Sequence, residues 1–254
     1  MADRGVSEVV GFVLIFSLIT LSVGAVYAVG FTGLQDARDA EQLNNVERAF
    51  DVLDDNMADI VENDAPNRAT EFRLYEADMT VGEPTRITVN IDGSPDSYSV
   101  AAYPLVYQAQ GSPTSFRYVG GAVIREDRNG AIFLNEPSFL LRESGGTRTA
   151  VIPLIETRSQ GSQAVGGTGT VLIRANRVLA ETLTARTGSN TDIELTVEST
   201  PTRAPLWAAY LNNKIGDAYG IQPCTASGDT VTCDAFTVQR LYVTATRIDV
   251  SIDG

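Results

Sequence analysis

The chain opens on a long apolar run, and the character of that run shapes everything after it. From Val9 to Gly33 there are 25 residues without a charge or a proline. At the helical rise this stretch spans roughly 37 Å, enough to cross the hydrocarbon core of a bilayer with some tilt. The helical pattern then continues. Leu43, Val46, Phe50, Leu53, Met57 and Ile60 recur at alternating steps of three and four, so six apolar side chains share one stripe of a helix. No proline intervenes before Pro66, where "ENDAP" supplies a stop. The pattern predicts one helix from about Ser7 to Glu62, its first half in lipid and its second half lying along a folded domain.

Beyond Pro66 the period changes from helical to alternating. "FRLYEA", "RITVNI", "YSVAAYPLVY", "RYVGGAVI", "TAVIPLIET", "TVLIRAN", "IELTVES" and "YVTATRIDVSI" are short β-branched or aromatic runs separated by turn-forming residues. Eight or more strands at this spacing predict an antiparallel sandwich or barrel. "PLWAAYLNN", residues 205–213, predicts one short helix opened by Pro205, with Trp207 and Leu211 on its buried side. "QAQGSPTS" and "SQGSQAVGGTG" read as long flexible connections. The fold class expected is therefore α+β: a long N-terminal helix, transmembrane and then amphipathic, followed by a mostly antiparallel β-sandwich-like domain with one short helix. The segments are a leader at 1–5, a transmembrane helix at 6–33, an amphipathic helical stem at 34–65 and an extracellular β-rich domain at 66–254.

The apolar run admits a second fate. "VYA", ending at Ala28, has the small residues of a secretory cleavage site. Cleavage there would discard the first half of a helix whose periodic second half begins a few residues later, and the run is longer than the usual signal core. Retention is the reading adopted. Arg4 lies before the run and acidic residues follow it, which orients the N-terminus inside and the β-rich domain outside. Within the run Thr20, Gly24, Ala28 and Thr32 fall on one i, i+4 ridge. Small residues there suit close helix–helix approach in lipid, although a scatter of small residues in a membrane span gives the same pattern.

Charge narrows the partners. The formal net charge is −13 and Lys214 is the only lysine. Such a chain is repelled by nucleic acid, which is excluded as a ligand of the exposed domain. Glu47, Asp51, Asp55 and Asp59 form an all-negative i, i+4 row, each neighbouring pair costing about 0.2–0.5 kcal/mol at low salt. Molar salt, with a screening length of about 3 Å, would remove most of that cost. Acidic excess with so little lysine resembles the composition of proteins from salt-loving archaea.

Candidate chemistry is sparse. The chain has no histidine, so His-based acid, base or triad chemistry is unavailable, and neither GxSxG nor a P-loop occurs. "TVNIDG" at 88–93 echoes a calcium loop, but Thr88 and Ser99 occupy its first and last ligand positions, so a plain β-turn is expected. No catalytic, cofactor-binding or metal site is assigned. Cys224 and Cys233 flank the turn-forming "SGD", a spacing that suits a disulfide-closed hairpin in an oxidising exterior, with two buried thiols as the alternative.

"RGVSEVVGFVLIFSLI" resembles the class III signal of archaeal type IV pilins, a short charged leader ending in Arg-Gly before a hydrophobic assembly helix. Residues 1–65 as a whole resemble pilin-like membrane proteins of haloarchaea, with Glu8 standing where the usual haloarchaeal motif has proline. The resemblance implies a prepilin-peptidase-like enzyme cutting between Gly5 and Val6, a hydrophobic segment retained after cleavage, and an assembly face that includes Glu8, Thr20, Gly24 and Ala28. The function it implies is that of a non-enzymatic, single-pass surface protein whose partners are the membrane and itself or other pilin-like subunits. A monomeric membrane-anchored binding module is the alternative.

Overall fold

The computed structural model describes residues 3–254, with side chains at all of these except 3–8, 29, 32 and 36. Helix α1 (Asp3–Glu62) comes first. It is followed by β1 (Asn67–Val81), β2 (Thr85–Ile91), β3 (Ser97–Ala102), β4 (Leu105–Ala109), β5 (Ser115–Val119), β6 (Ala122–Asp127), β7 (Gly130–Asn135), β8 (Leu140–Ser144), β9 (Thr147–Ser159) and β10 (Ala164–Glu198). Helix α2 (Ala204–Tyr219), β11 (Cys224–Ser227) and β12 (Thr230–Asp253) complete the chain. The long helix, the mostly antiparallel sheet and the short second helix make this an α+β protein.

Two compact units divide the chain, Met1–Asn45 and Val46–Gly254. The first is helical, and the described apolar side chains from Val9 to Leu34 are bare: Phe12 is 70% exposed, Leu21 73% and Val26 73%. It holds a segment long and apolar enough to cross a membrane, none of it buried.

The second unit begins with the last turns of α1 and takes in all the strands that follow. Val46, Phe50, Leu53, Met57 and Ile60 are all buried, the apolar stripe having a sheet to cover. Phe50 meets the edge of Phe72 on β1 at 5.1 Å and stacks on Phe116 of β5 at 5.9 Å. Asn56 donates to Thr70 Oγ1 at 2.9 Å, and Asn135 donates to Asp54 at 2.7 Å. The helix ends where the Asn63 and Ala65 amides both donate to the Asp59 carbonyl and Asp64 turns left-handed at φ 58°. There Arg177 donates to Ile60 O and pairs with Asp64, a cation against the negative end of the helix dipole.

Strands β10 and β12 form the spine, paired antiparallel from Leu172 opposite Asp253 to Glu198 opposite Thr230, with bulges along the way. The other edge of β10 takes β1 along its first part and β2 along its last. The main path runs β7-β6-β5-β4-β1-β10-β12-β9-β8, with β2 and β3 branching from β10 and β11 from β12. The β9–β12 pair is parallel, the exception in an otherwise antiparallel sheet. Strands β7 and β8, at opposite ends of that path, are joined by only residues 136–139. Helix α2 covers this junction. Tyr210 donates its hydroxyl to Pro137 O at 2.6 Å, and Phe133 meets Trp207 at 5.2 Å and Tyr210 at 5.5 Å.

Several local expectations need correction. "TVLIRAN" and "IELTVES" belong to one strand, β10. "YSVAAYPLVY" is broken at Tyr103 and Pro104 into β3 and β4, and "RYVGGAVI" turns at Gly120 and Gly121, whose φ angles are 60° and 82°. The glycine-rich "SQGSQAVGGTG" is not a flexible loop throughout, because residues 164–169 pair with β1. A Cβ on Gly166 would lie 2.2 Å from Asp78 Oδ1, so glycine there permits close strand approach. In "QAQGSPTS" the Gln108 amide donates to the carbonyls of Ala109, Ser112 and Thr114, fastening a short turn. The helix at 205–213 extends over 16 residues and stops at Gly220, left-handed at φ 74°, whose amide donates to Gly216 O at 2.8 Å.

Candidate functional site

The feature that sets this chain apart from an ordinary β protein is the apolar surface of its first unit. Within the apolar run two hydroxyls bond back to the helix itself: Thr20 donates to Phe16 O at 2.8 Å and Ser22 to Leu18 O at 2.6 Å. Such a surface offers little that needs water, as a lipid-facing helix requires. Phe12 and Phe16 stack at 6.1 Å, and Tyr27 and Phe31 at 6.0 Å, each an i, i+4 pair on the exposed helix.

Thr20, Gly24 and Ala28 lie along one side of this helix, as the i, i+4 spacing requires, and a Cβ on Gly24 would meet nothing within 4 Å. Gly5, Val6 and Glu8 fall on helical backbone, and their side chains, like that of Thr32, lie outside the described residues.

The acidic row of α1 is not uniformly solvated. Asp59 accepts from Asn63 at 3.0 Å and pairs with Arg68 at 3.0 Å, and these two contacts hold its carboxyl below the usual aspartate range. The perturbed acid in the opposite sense is Asp54, which is not on the row. Burial pushes its carboxyl up against the opposing hydrogen bond from Asn135, and the charges of Asp55, Asp51 and Glu62 push the same way. A carboxyl raised in the folded state favours folding when protonated, and that contribution is lost as pH rises from the unfolded value through the raised one. Asp54→Asn, which keeps an oxygen for Asn135, should therefore raise the melting temperature at neutral pH. The gain should vanish below about pH 4, where the unfolded aspartate also protonates. Parallel thermal melts of the two proteins at both pH values check this.

In the β-rich unit Cys224 and Cys233 are joined in a disulfide across the β11–β12 hairpin, whose turn places Gly228 at φ 62°. The spacing had left bonded and free thiols open, and the hairpin register puts the two cysteines directly opposite. Asn212 on α2 brackets Cys224, its amide nitrogen donating to the Cys224 carbonyl and its amide oxygen accepting from the Cys224 N–H, both at 2.8 Å. "TVNIDG" is a strand end and turn, with the Gly93 amide donating to Asp92 at 2.9 Å and Thr88 bonded to Ser99. Among the described residues no group of three or more His, Cys, Asp or Glu side chains could hold a metal ion.

Sequence reasoning missed one cluster. Arg117 of β5 and Arg203, just before α2, share the Glu126 carboxylate of β6 at 2.9 and 3.5 Å. Burial, and then the charge of Arg203, push the Arg117 guanidinium down to about 10. Arg117 and Glu126 meet across the β5–β6 hairpin, but Arg203 is 77 residues from Glu126, and only the placement of α2 brings it there.

A profile described as a family of unknown function (DUF7289) matches residues 4–251, so the chain belongs to that family, and the match takes in the apolar helix together with the β-rich unit. No curated protein and no solved structure matches the chain.

Proposed function

We propose that this member of the DUF7289 family is a non-enzymatic, pilin-like surface protein, anchored or assembled through its N-terminal hydrophobic helix and displaying its β-rich domain outside the cell. The observation that carries the reading is the double character of α1: the segment from Val9 to Leu34 exposes its apolar side chains, while Val46 to Ile60 are core residues of the β-rich domain. A cleavable export signal has no reason to be continuous with a core helix. A helix serving as both membrane anchor and domain core does.

The finer features belong to the same proposal. The leader is cut between Gly5 and Val6, leaving Glu8 just inside the apolar boundary, where an unpaired carboxylate is costly. In an assembly that carboxylate meets a neighbour's terminal amine, and the Thr20, Gly24 and Ala28 ridge lets helices approach. The Cys224–Cys233 disulfide supports an oxidising location for the domain, and the net charge of −13 with one lysine supports a salt-rich setting of the archaeal kind.

Protease added to intact cells should remove the β-rich domain and leave a membrane-bound fragment. Full protection in cells lacking an occluding envelope would reject the outward topology. Glu8→Gln should insert normally yet lose the cross-linked oligomers of the parent protein. Oligomers unchanged by that substitution would favour the monomeric, single-pass binding module.

A further inference from the structure

A cleft of about 690 Å³ opens in the β-rich unit where the ends of β1, β3 and β9 meet the start of β10. It lies within the range of ordinary small-ligand sites. Its frame is fixed by backbone bonds: the Val81 amide donates to Gln163 O at 2.8 Å and the Gly82 amide to Pro104 O at 2.9 Å. A Cβ on Gly82 would come within 3.2 Å of Pro104, so the wall is closely packed at this point.

The side chains lining the cleft are of a particular kind. Tyr103 is 39% exposed, and its backbone is pinned from both sides by Thr157, whose carbonyl accepts the Tyr103 amide at 3.1 Å and whose hydroxyl donates to the Tyr103 carbonyl at 2.5 Å. The ring is therefore presented from a fixed backbone. Glu156 is held by Arg158 at 2.7 Å and by Arg247, which does not itself line the cleft, at 2.8 Å, so two guanidiniums offset the two lining carboxylates, Glu83 and Glu156. The cleft is neutral in a chain that is strongly acidic.

We infer that this cleft binds a neutral pyranose ring, with the Tyr103 ring against the apolar face of the sugar and Gln163, Glu83 and Arg158 serving its hydroxyls. A sugar hydroxyl both donates and accepts. The cleft offers both capacities: the Tyr103 hydroxyl and the Gln163 amide do each, Glu83 accepts and Arg158 donates. A charged ligand would meet no opposite excess here, and a purely apolar one would leave these polar groups desolvated and unpaired. The inference goes beyond the anchoring role and does not depend on whether the protein forms filaments.

The test uses the full chain in a zwitterionic, sugar-free detergent with methyl α-glucopyranoside, methyl α-mannopyranoside, methyl β-galactopyranoside and N-acetylglucosamine as probes, followed by saturation-transfer NMR. At least one probe should bind saturably in the millimolar range, and Tyr103→Ala should weaken that binding at least about tenfold, since the ring supplies the stacking face. The Thr157 bonds are to the Tyr103 backbone, so the variant should keep the parent melting temperature. If it does not, Gln163→Ala provides the same comparison at a side chain that the fold does not use. Absence of binding by all four sugars, or binding equal in parent and variant, would overturn the assignment.

Discussion

A fragment comprising residues 66–254 will not fold, whereas residues 46–254 will fold as a cooperative, β-rich unit. The shorter fragment lacks Val46, Phe50, Leu53, Met57 and Ile60, each 2% exposed or less. At about 1.5–3 kcal/mol per buried apolar side chain, their loss removes on the order of 10 kcal/mol. That matches the whole stability of a typical domain, about 5–15 kcal/mol. It also uncovers the faces of Phe72 and Phe116 that Phe50 occupies. In the longer fragment, Phe50→Ala alone should cost about 3–5 kcal/mol. Urea unfolding followed by circular dichroism measures both effects. A 66–254 fragment with the same midpoint as 46–254 would show that the helix merely lies beside the domain.

The disulfide carries the second large effect. Closing a loop of nine residues' separation should stabilise the domain by roughly 2–3 kcal/mol on the chain-entropy estimate. Reduction, or Cys224→Ser with Cys233→Ser, should lower the unfolding midpoint accordingly. The native spectrum should survive, because Asn212 still ties the hairpin backbone to α2 through two hydrogen bonds. An unfolding midpoint indifferent to reductant would remove the stabilising role, and with it one support for an extracellular location.

These two predictions mark where sequence was informative. The three-and-four spacing from Val46 to Ile60 announced an amphipathic helix, and the short interval between Cys224 and Cys233 announced a hairpin, since both signals are local. Trp207 and Leu211 were legible as core for the same reason, and both are fully buried. What a helical stripe packs against is not local, so the spacing of Val46 to Ile60 did not say which strands these residues would cover. The Gly166 to Gly169 stretch looked like a loop because its composition signals freedom, when its function is to let β10 approach Asp78 of β1.

The functional residues divide along the same line. The apolar run could be read directly, because a length and composition sufficient to cross a membrane are properties of continuous sequence. Arg203 reaches Glu126 from 77 residues away, and the cleft around Tyr103 is likewise assembled from segments far apart in the chain. Each depends on strand register: Ser115 faces Glu126 across β5 and β6, and β9 runs parallel to β12 so that Glu156 and Arg247 are opposite. No periodicity in the sequence encodes that register.

The central claim is that the apolar segment stays attached to the domain it enters. It is tested most directly by the intact mass of the protein purified from washed membranes. Retention after cutting between Gly5 and Val6 predicts the full chain less its first five residues, Met1 to Gly5, with the disulfide intact. A mature chain beginning after Ala28, and recovered free of the membrane, would contradict it.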